Sequence, residues 1–484
     1  MAARSPLLAR LAELAGSTRV ALLDDRGTTT HDQLIRRARS VAGALLNGAP
    51  SLDGRRVALL LTQDADWLAA FLGVLIAGGV VVPLAPAYPA AELAWFAADA
   101  EADLVLLSAE YDALALDLAH GRRVLRVDAL LCAAPAPLEP TLRAPDDLAL
   151  LLYTSGTTGR PKGAMLTHAN LATHARLLGT AWGFTERDQL LHTLPLHHLH
   201  GLGIALLTAY LAGAATRMLP RFDPERVTRS LAHATVFMAV PTIYRRLADA
   251  ADPARLAAGA RTLRLATSGS AALPIPLGEW WRSLAGDYPL ERFGMTEVGV
   301  ALSNPLEPSG RQPGRVGTPL PTVELRCADD GELYVRGPSV FAGYWRRPDT
   351  TPFEDGWFRT GDLAETDAAG SVRLLGRTSV DILKSGGYKL SALEIEAALA
   401  EHPALAEVAV VGLPDATWGD LVVCAFIVRA GSSAPDHDSL RAFARARLAA
   451  YQVPREFVAL AELPRNPLGK VVKPRLVELL RART

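Results

Sequence analysis

Short, uninterrupted apolar runs alternate with helical stretches through most of the first three-quarters of the chain, and this pattern restricts the fold more than any other feature. Arg56 to Leu61 reads as a buried strand, Trp67 to Ala77 as a helix, and Val80 to Val82 as a second strand. Leu104 to Leu107 and Leu148 to Tyr153 repeat the strand signal, and Leu166 to Leu178 reads as a helix. A strand that is apolar on both faces must be covered on both, as parallel strands with crossover helices achieve. The expected class is therefore α/β, in layers. From Gly331 to Leu375 the texture shifts to short strands, turns and acidic loops, as in Glu332–Arg336 and Ser371–Leu375, and predicts a β-rich subdomain. After Gly376-Arg377 a smaller α+β unit begins, with helices over Ser391–Glu401 and His437–Ala450 and strands over Val408–Val411 and Leu421–Val428. A chain of 484 residues exceeds one hydrophobic core. Two domains are expected, 1–377 and 378–484.

Lys plus Arg number 50 against 51 Asp plus Glu, a balance that offers no nucleic acid or anionic membrane a matching surface. Cys132, Cys327 and Cys424 stand far apart and form no CxxC pair, which argues against a disulfide framework or a cysteine zinc site and fits the cytoplasm. The opening residues show no apolar core followed by a cleavage site, so no signal peptide is expected. Trp67 to Pro86 carries no charge over twenty residues, long enough to span a bilayer. However, Gly78-Gly79 and Pro83 divide it into a buried helix, a tight turn and a buried strand.

The chemistry begins at Thr154-Ser155-Gly156-Thr157-Thr158-Gly159-Arg160-Pro161-Lys162-Gly163, directly after the Leu148–Tyr153 strand. Glycines let backbone N–H groups approach an anion, hydroxyls add donors, and Lys162 adds charge. The order Pro161-Lys162-Gly163 differs from GxxxxGK[ST], so this is not the common P-loop. Further segments follow in order: Ser268-Gly269-Ser270-Ala271-Ala272-Leu273-Pro274, Arg292-Phe293-Gly294-Met295-Thr296-Glu297, Trp357-Phe358-Arg359-Thr360-Gly361-Asp362, Gly376-Arg377, Lys384-Ser385-Gly386-Gly387-Tyr388-Lys389 and Pro464-Arg465-Asn466-Pro467-Leu468-Gly469-Lys470. In these motifs, and over essentially its whole length, the chain resembles the adenylate-forming superfamily of acyl-CoA synthetases, peptide-synthetase adenylation domains and luciferases.

That resemblance implies ATP, Mg²⁺ and CoA as reaction partners, and assigns roles. Thr154, Ser155, Gly156, Thr157, Thr158, Gly159 and Lys162 would cradle the phosphates, with Thr296 close by. Glu297, a hard oxygen donor, would hold Mg²⁺ together with Thr154. Gly269, Ser270, Ala271, Phe293, Gly294 and Met295 would line the nucleotide, and Asp362 would accept from the ribose hydroxyls beside Arg377. Lys470 would bridge carboxylate and α-phosphate, a task for a compact, mobile charge. The small domain would rotate between adenylation and thioester formation about Ser379. Ser385, Gly386, Gly387, Tyr388 and Lys389 would then line the CoA tunnel.

The Leu194–Leu202 segment is rich in histidine, yet three histidines within four residues on an irregular segment make poor tetrahedral geometry for zinc. By resemblance it forms the wall between acid pocket and CoA tunnel, with His198 at the functional position. Arg246 and Arg292, with SGSAALP and HHLHGL, make the chain look most like malonyl-CoA synthetases. There the matching arginines, with Ser268 and His198, would hold the carboxylate that is not activated, a task suited to bidentate guanidinium contacts. The expected reaction is malonate, ATP and CoA giving malonyl-CoA, AMP and pyrophosphate in a monomer or homodimer. A methylmalonate, another short acid, a fatty acid or a carrier-protein acceptor stay open, as does a catalytically silent nucleotide-binding role.

Overall fold

The structure is a computed structural model, and it describes residues 5–136, 143–154, 161–348, 353–466 and 470–483. Two large sheets form the body. One has six strands in the order Arg123–Arg126, Ala102–Leu107, Arg56–Leu60, Val80–Pro83, Leu148–Thr154 and Lys162–Thr167. All its pairs are parallel except the last. The other has nine strands, with a parallel centre of Leu290–Met295, Leu265–Ser268, Val236–Ala239, Gln189–His192, Ala215–Met218 and Val20–Asp24. The double-sided burial expected from the apolar runs is realised: Val57 to Leu60 and Val80 to Val82 are all buried.

The uncharged run resolves into the helix Ala65–Ile76, every residue of it buried, a turn with Gly78 at φ +79°, and the strand Val80–Pro83. Asp64 starts this helix by accepting from the backbone N–H groups of Asp66 and Trp67. Among the described residues no helix is long and apolar enough to cross a membrane.

One expectation is corrected. Residues 162–167 form a strand antiparallel to Leu148–Thr154, and the helix begins only at His168 and runs to Ala181. The helical reading from Leu166 failed because Met165 and Leu166 continue the apolar pattern, while the start is set by a local device. Thr167 accepts from the N–H of Asn170, and the Asn170 side chain accepts from the N–H of Thr167. The last expected helix also stops early, at Arg445.

A five-stranded antiparallel sheet contains Glu332–Arg336, Trp357–Thr366 and Val372–Arg377. The chain then turns through residues 378–381 into a separate sheet that begins with Ile382–Ser385 and is centred on Leu405–Asp415 and Gly419–Val428. This small unit packs around apolar clusters of its own, which include Leu390, Ile395, Val410 and Phe457 on one side and Val411, Val423 and Leu476 on the other.

Candidate active site

The carboxyl ends of parallel strands are where an open α/β sheet leaves a crevice for ligands. Here Thr154, His192, Ala239 and Ser268 end such strands, and the Leu290–Met295 strand runs beside them.

On the phosphate side, Thr154 and Lys162 face each other across the strand pair, and the Thr154 hydroxyl donates to the Lys162 carbonyl at 3.4 Å. Ser155, Gly156, Thr157, Thr158 and Gly159 lie outside the described residues. The Lys162 ammonium sits 5.1 Å over the Tyr344 ring, and the Tyr344 hydroxyl donates to Glu297 Oε1 at 2.7 Å. Tyr344 thus ties the lysine of the loop to the expected metal ligand, a link no sequence motif signalled. Glu297 is buried, and no group of three acidic, His or Cys side chains among the described residues could cage a metal alone. One carboxylate fits an ion that takes most of its oxygen ligands from phosphates and water. Glu297 would hold Mg²⁺ with Thr154 nearby, and the ion would offset charge on the triphosphate.

For the nucleotide, Ser270 takes φ +68°, a left-handed conformation uncommon outside glycine, and its hydroxyl lies 3.2 Å from His200 Nδ1. Ala271 beside it is exposed, Phe293 is buried, and Gly294, Met295 and Thr296 lie partly open at the end of their strand. Asp362 and Arg377 are paired across neighbouring strands, with Nε 3.3 Å from Oδ1. The other oxygen of Asp362 is buried without a partner among the described residues. Burial pushes this carboxyl up to about 6, against the pull of Arg377. A buried acceptor left open beside an arginine is what a ribose hydroxyl requires.

Lys470 comes from the small unit. Its backbone N–H donates to the Asn466 side-chain oxygen at 3.0 Å, and its carbonyl accepts the Asn466 N–H at 2.9 Å. The residue as a whole is exposed, and its ammonium is close enough to Arg377, Arg292 and Asp362 to feel their charges. Desolvation, then the charges of Arg377 and Arg292, lower it to about 8 against the attraction of Asp362. Lys470 and Asp362 therefore share one electrostatic site.

A further group of side chains gathers around Arg292. This arginine is 3% exposed, its Nε and one terminal nitrogen have no partner among the described residues, and burial lowers it to about 9. The absence of a side chain at Gly269 makes this possible, since a Cβ there would lie 2.4 Å from the guanidinium. Ser268 places a buried hydroxyl in the same region, without a partner among the described residues. His198 and His200 are both held well below the usual imidazole range by burial and by neighbouring cations, with Lys470 acting on both and Arg292 on His200. They are neutral, and His200 opens a wide π-helical stretch, His200–Leu206, of the kind often found at functional sites. His174, which no motif contains, accepts the N–H of Val300 at 2.7 Å and is lowered to about 3 by burial and by Arg292. Arg292 thus disfavours a second positive charge beside it.

Arg246 does not join this cluster. It is exposed, on the helix Pro241–Ala250, and its guanidinium stacks 4.5 Å over Phe222, which follows the carboxyl end of the Ala215–Met218 strand. The sequence reading placed it in the pocket with Arg292; in the structure its guanidinium lies over Phe222 instead.

The Ser385–Lys389 loop is also elsewhere. Gly386 and Gly387 turn at φ +58° and +84°, Tyr388 stacks 4.4 Å from Tyr451, and the Lys389 ammonium donates to the Asp330 carbonyl at 3.1 Å. Ser379 lies in the exposed turn between the last strand of the large body and the first of the small unit.

Comparison with known proteins agrees with this arrangement. The AMP-binding enzyme family model matches residues 10–345, and the AMP-binding enzyme C-terminal domain matches 394–470. The mitochondrial malonate–CoA ligase ACSF3 of Mus musculus is 41% identical over 96% of this chain and 89% of its own length. ATP-bound MatB from Rhodopseudomonas palustris superposes with a TM-score of 0.93 at 35% identity, covering 99% of each chain. The apo form of MatB gives 0.83 over the same coverage, so the arrangement here, with Lys470 in the crevice, is nearer the ATP-bound one. From its motifs, its crevice and these matches, the chain belongs to the AMP-binding enzyme family.

Proposed function

We propose that the chain is an ATP-dependent ligase that joins malonate to CoA through a malonyl-adenylate, releasing AMP and pyrophosphate. One observation carries the choice of acid: Arg292 is buried, with its Nε and one terminal nitrogen lacking a partner among the described residues, beside histidines that burial shifts toward the neutral form. Such a charge is costly unless a ligand neutralises it, and the second carboxylate of a dicarboxylic acid would do so. An apolar fatty-acid chain would leave it unpaired. The malonate–CoA ligases among the relatives support the same reading.

In the first half-reaction Arg292 and Ser268 orient the acid, and His198 shapes the wall behind it. Lys470 then draws the attacking carboxylate and the α-phosphate together and offsets the charge that builds between them. Asp362 and Arg377 fix the ribose, and the phosphate loop with Lys162 holds the leaving pyrophosphate.

In the second half-reaction the small unit, residues 378–484, would turn about Ser379, withdraw Lys470 and bring Ser385, Gly386, Gly387, Tyr388 and Lys389 to the thiol arm of CoA. The three free cysteines support a reducing compartment, and we place the protein in the cytoplasm. Incubation with malonate, ATP, Mg²⁺ and CoA should give malonyl-CoA, AMP and pyrophosphate in equal amounts. ADP and phosphate instead, or no thioester, would refute the assignment.

A further inference from the structure

Between the large body and the small unit lies a charged cluster that none of the roles above uses. Asp381 ends the connecting turn, just before the first strand of the small unit. One oxygen of its carboxylate accepts the backbone N–H of Arg377, the last residue of the body's final strand, at 3.0 Å. The other meets the Lys473 ammonium at 2.6 Å, and Lys473 also reaches Glu396 at 2.7 Å. Glu396 in turn accepts the N–H of Val410 at 2.7 Å, inside the small unit's sheet. The backbone closes the same turn, Asp381 N–H to the Arg377 carbonyl at 2.8 Å. Gly376, at φ +121°, permits the approach, because a Cβ there would lie 2.5 Å from Cβ of Asp381.

Two hydrogen bonds therefore join Arg377 to Asp381 across residues 378–380. A rotation taken up in those residues must break both. The third participant, Lys473, opens the last helix and lies three residues after Lys470. Side-chain exposures of 12%, 11% and 18% for Lys473, Asp381 and Glu396 make the cluster much less screened than a surface ion pair.

We propose that Asp381 and Lys473 are positioning residues that form a clasp across the hinge, holding Lys470 in the ATP crevice and opening when the small unit turns. The clasp favours adenylation because its Arg377 contacts are made in this arrangement, with Lys470 close to Asp362. Lys473 keeps Asp381 with the small unit when those contacts part, so the carboxylate is never left buried and unpaired. The inference rests on the ligase reading and its two half-reactions.

The test separates those half-reactions in the full-length chain. Adenylation is followed by pyrophosphate release with malonate and ATP, and thioester formation from supplied malonyl-adenylate and CoA. Asp381→Asn should slow adenylation about tenfold and leave thioester formation unchanged or faster. Lys473→Met should shift the ratio of the two rates the same way, and Lys473→Arg should restore it. Partial unfolding lowers both rates equally, so the ratio is unaffected by a loss of folded protein. Equal loss of both half-reactions, or an unchanged ratio in Asp381→Asn and Lys473→Met, would overturn the clasp while leaving the ligase reading intact. A wild type that performs neither half-reaction would overturn both.

Discussion

Two cations serve the same crevice and are built in opposite ways. Arg292 lies inside a strand of the nine-stranded sheet, 3% exposed, with a glycine opposite to admit it. Lys470 belongs to the small unit, hydrogen-bonded through its backbone to Asn466, and that unit packs around apolar clusters of its own. Burial lowers both below their ordinary values, Arg292 to about 9 and Lys470 to about 8. Under the proposed function, a cation held within a sheet would suit the choice of acid, since both half-reactions need it in one place. A cation carried by the smaller unit would suit a charge needed in one step and harmful in the next. Arginine, with its planar fork, and lysine, with its compact flexible charge, match these tasks.

The comparison breaks most clearly at Lys470. Lys470→Ala should slow adenylation by on the order of 100-fold or more, the loss typical of one preorganised charge-stabilising donor. Thioester formation from supplied malonyl-adenylate should stay near wild type. Equal loss of both steps would show that the lysine is not specific to the first. Arg292→Ala should act on the acid instead. Losing a charge-assisted contact of roughly 2–3 kcal/mol raises the KM for malonate about 30- to 150-fold with little change in the KM for ATP. A change confined to ATP would assign Arg292 to the nucleotide.

pH sharpens the contrast. Lys470 must be protonated to offset the developing charge, so adenylation should fall as pH rises through about 8. Asp362 must be ionised to accept from ribose, so ATP use should also fall as pH drops through about 6. Initial rates at low ATP should trace a bell between those values, about tenfold per unit outside them. A flat profile from pH 5 to 9 would contradict both assignments. The smallest effect is expected at Tyr344→Phe, which removes one hydrogen bond to Glu297 and should raise the Mg²⁺ requirement by up to about tenfold.

The sequence announced the local parts of this site, and distant parts stayed hidden. The strand before Thr154, the buried Val80–Pro83 strand and the Ala65–Ile76 helix could be read because each is signalled by adjacent residues. Lys470, Asp362 and Glu297 were named through motif resemblance, and the structure brings them close enough for their charges to interact. Tyr344, His174 and Phe222 were missed because their partners lie 47, 126 and 24 positions away and nothing local marks them. The Asp381–Lys473–Glu396 cluster was missed for the same reason. The false helix start at Leu166 arose where strand and helix share one apolar pattern and a capping threonine decides between them. Arg246 failed differently: a position on a helix can be read from sequence, but the choice between an aromatic stack and a pocket cannot.

The most direct test is AMP release by the purified chain with ATP, Mg²⁺ and CoA, across malonate, methylmalonate, acetate, butyrate, octanoate and benzoate. Strong preference for malonate, lost in Arg292→Ala, is the predicted result. Preference for a monocarboxylic acid would contradict the account, and would mean that the buried arginine does not select the acid.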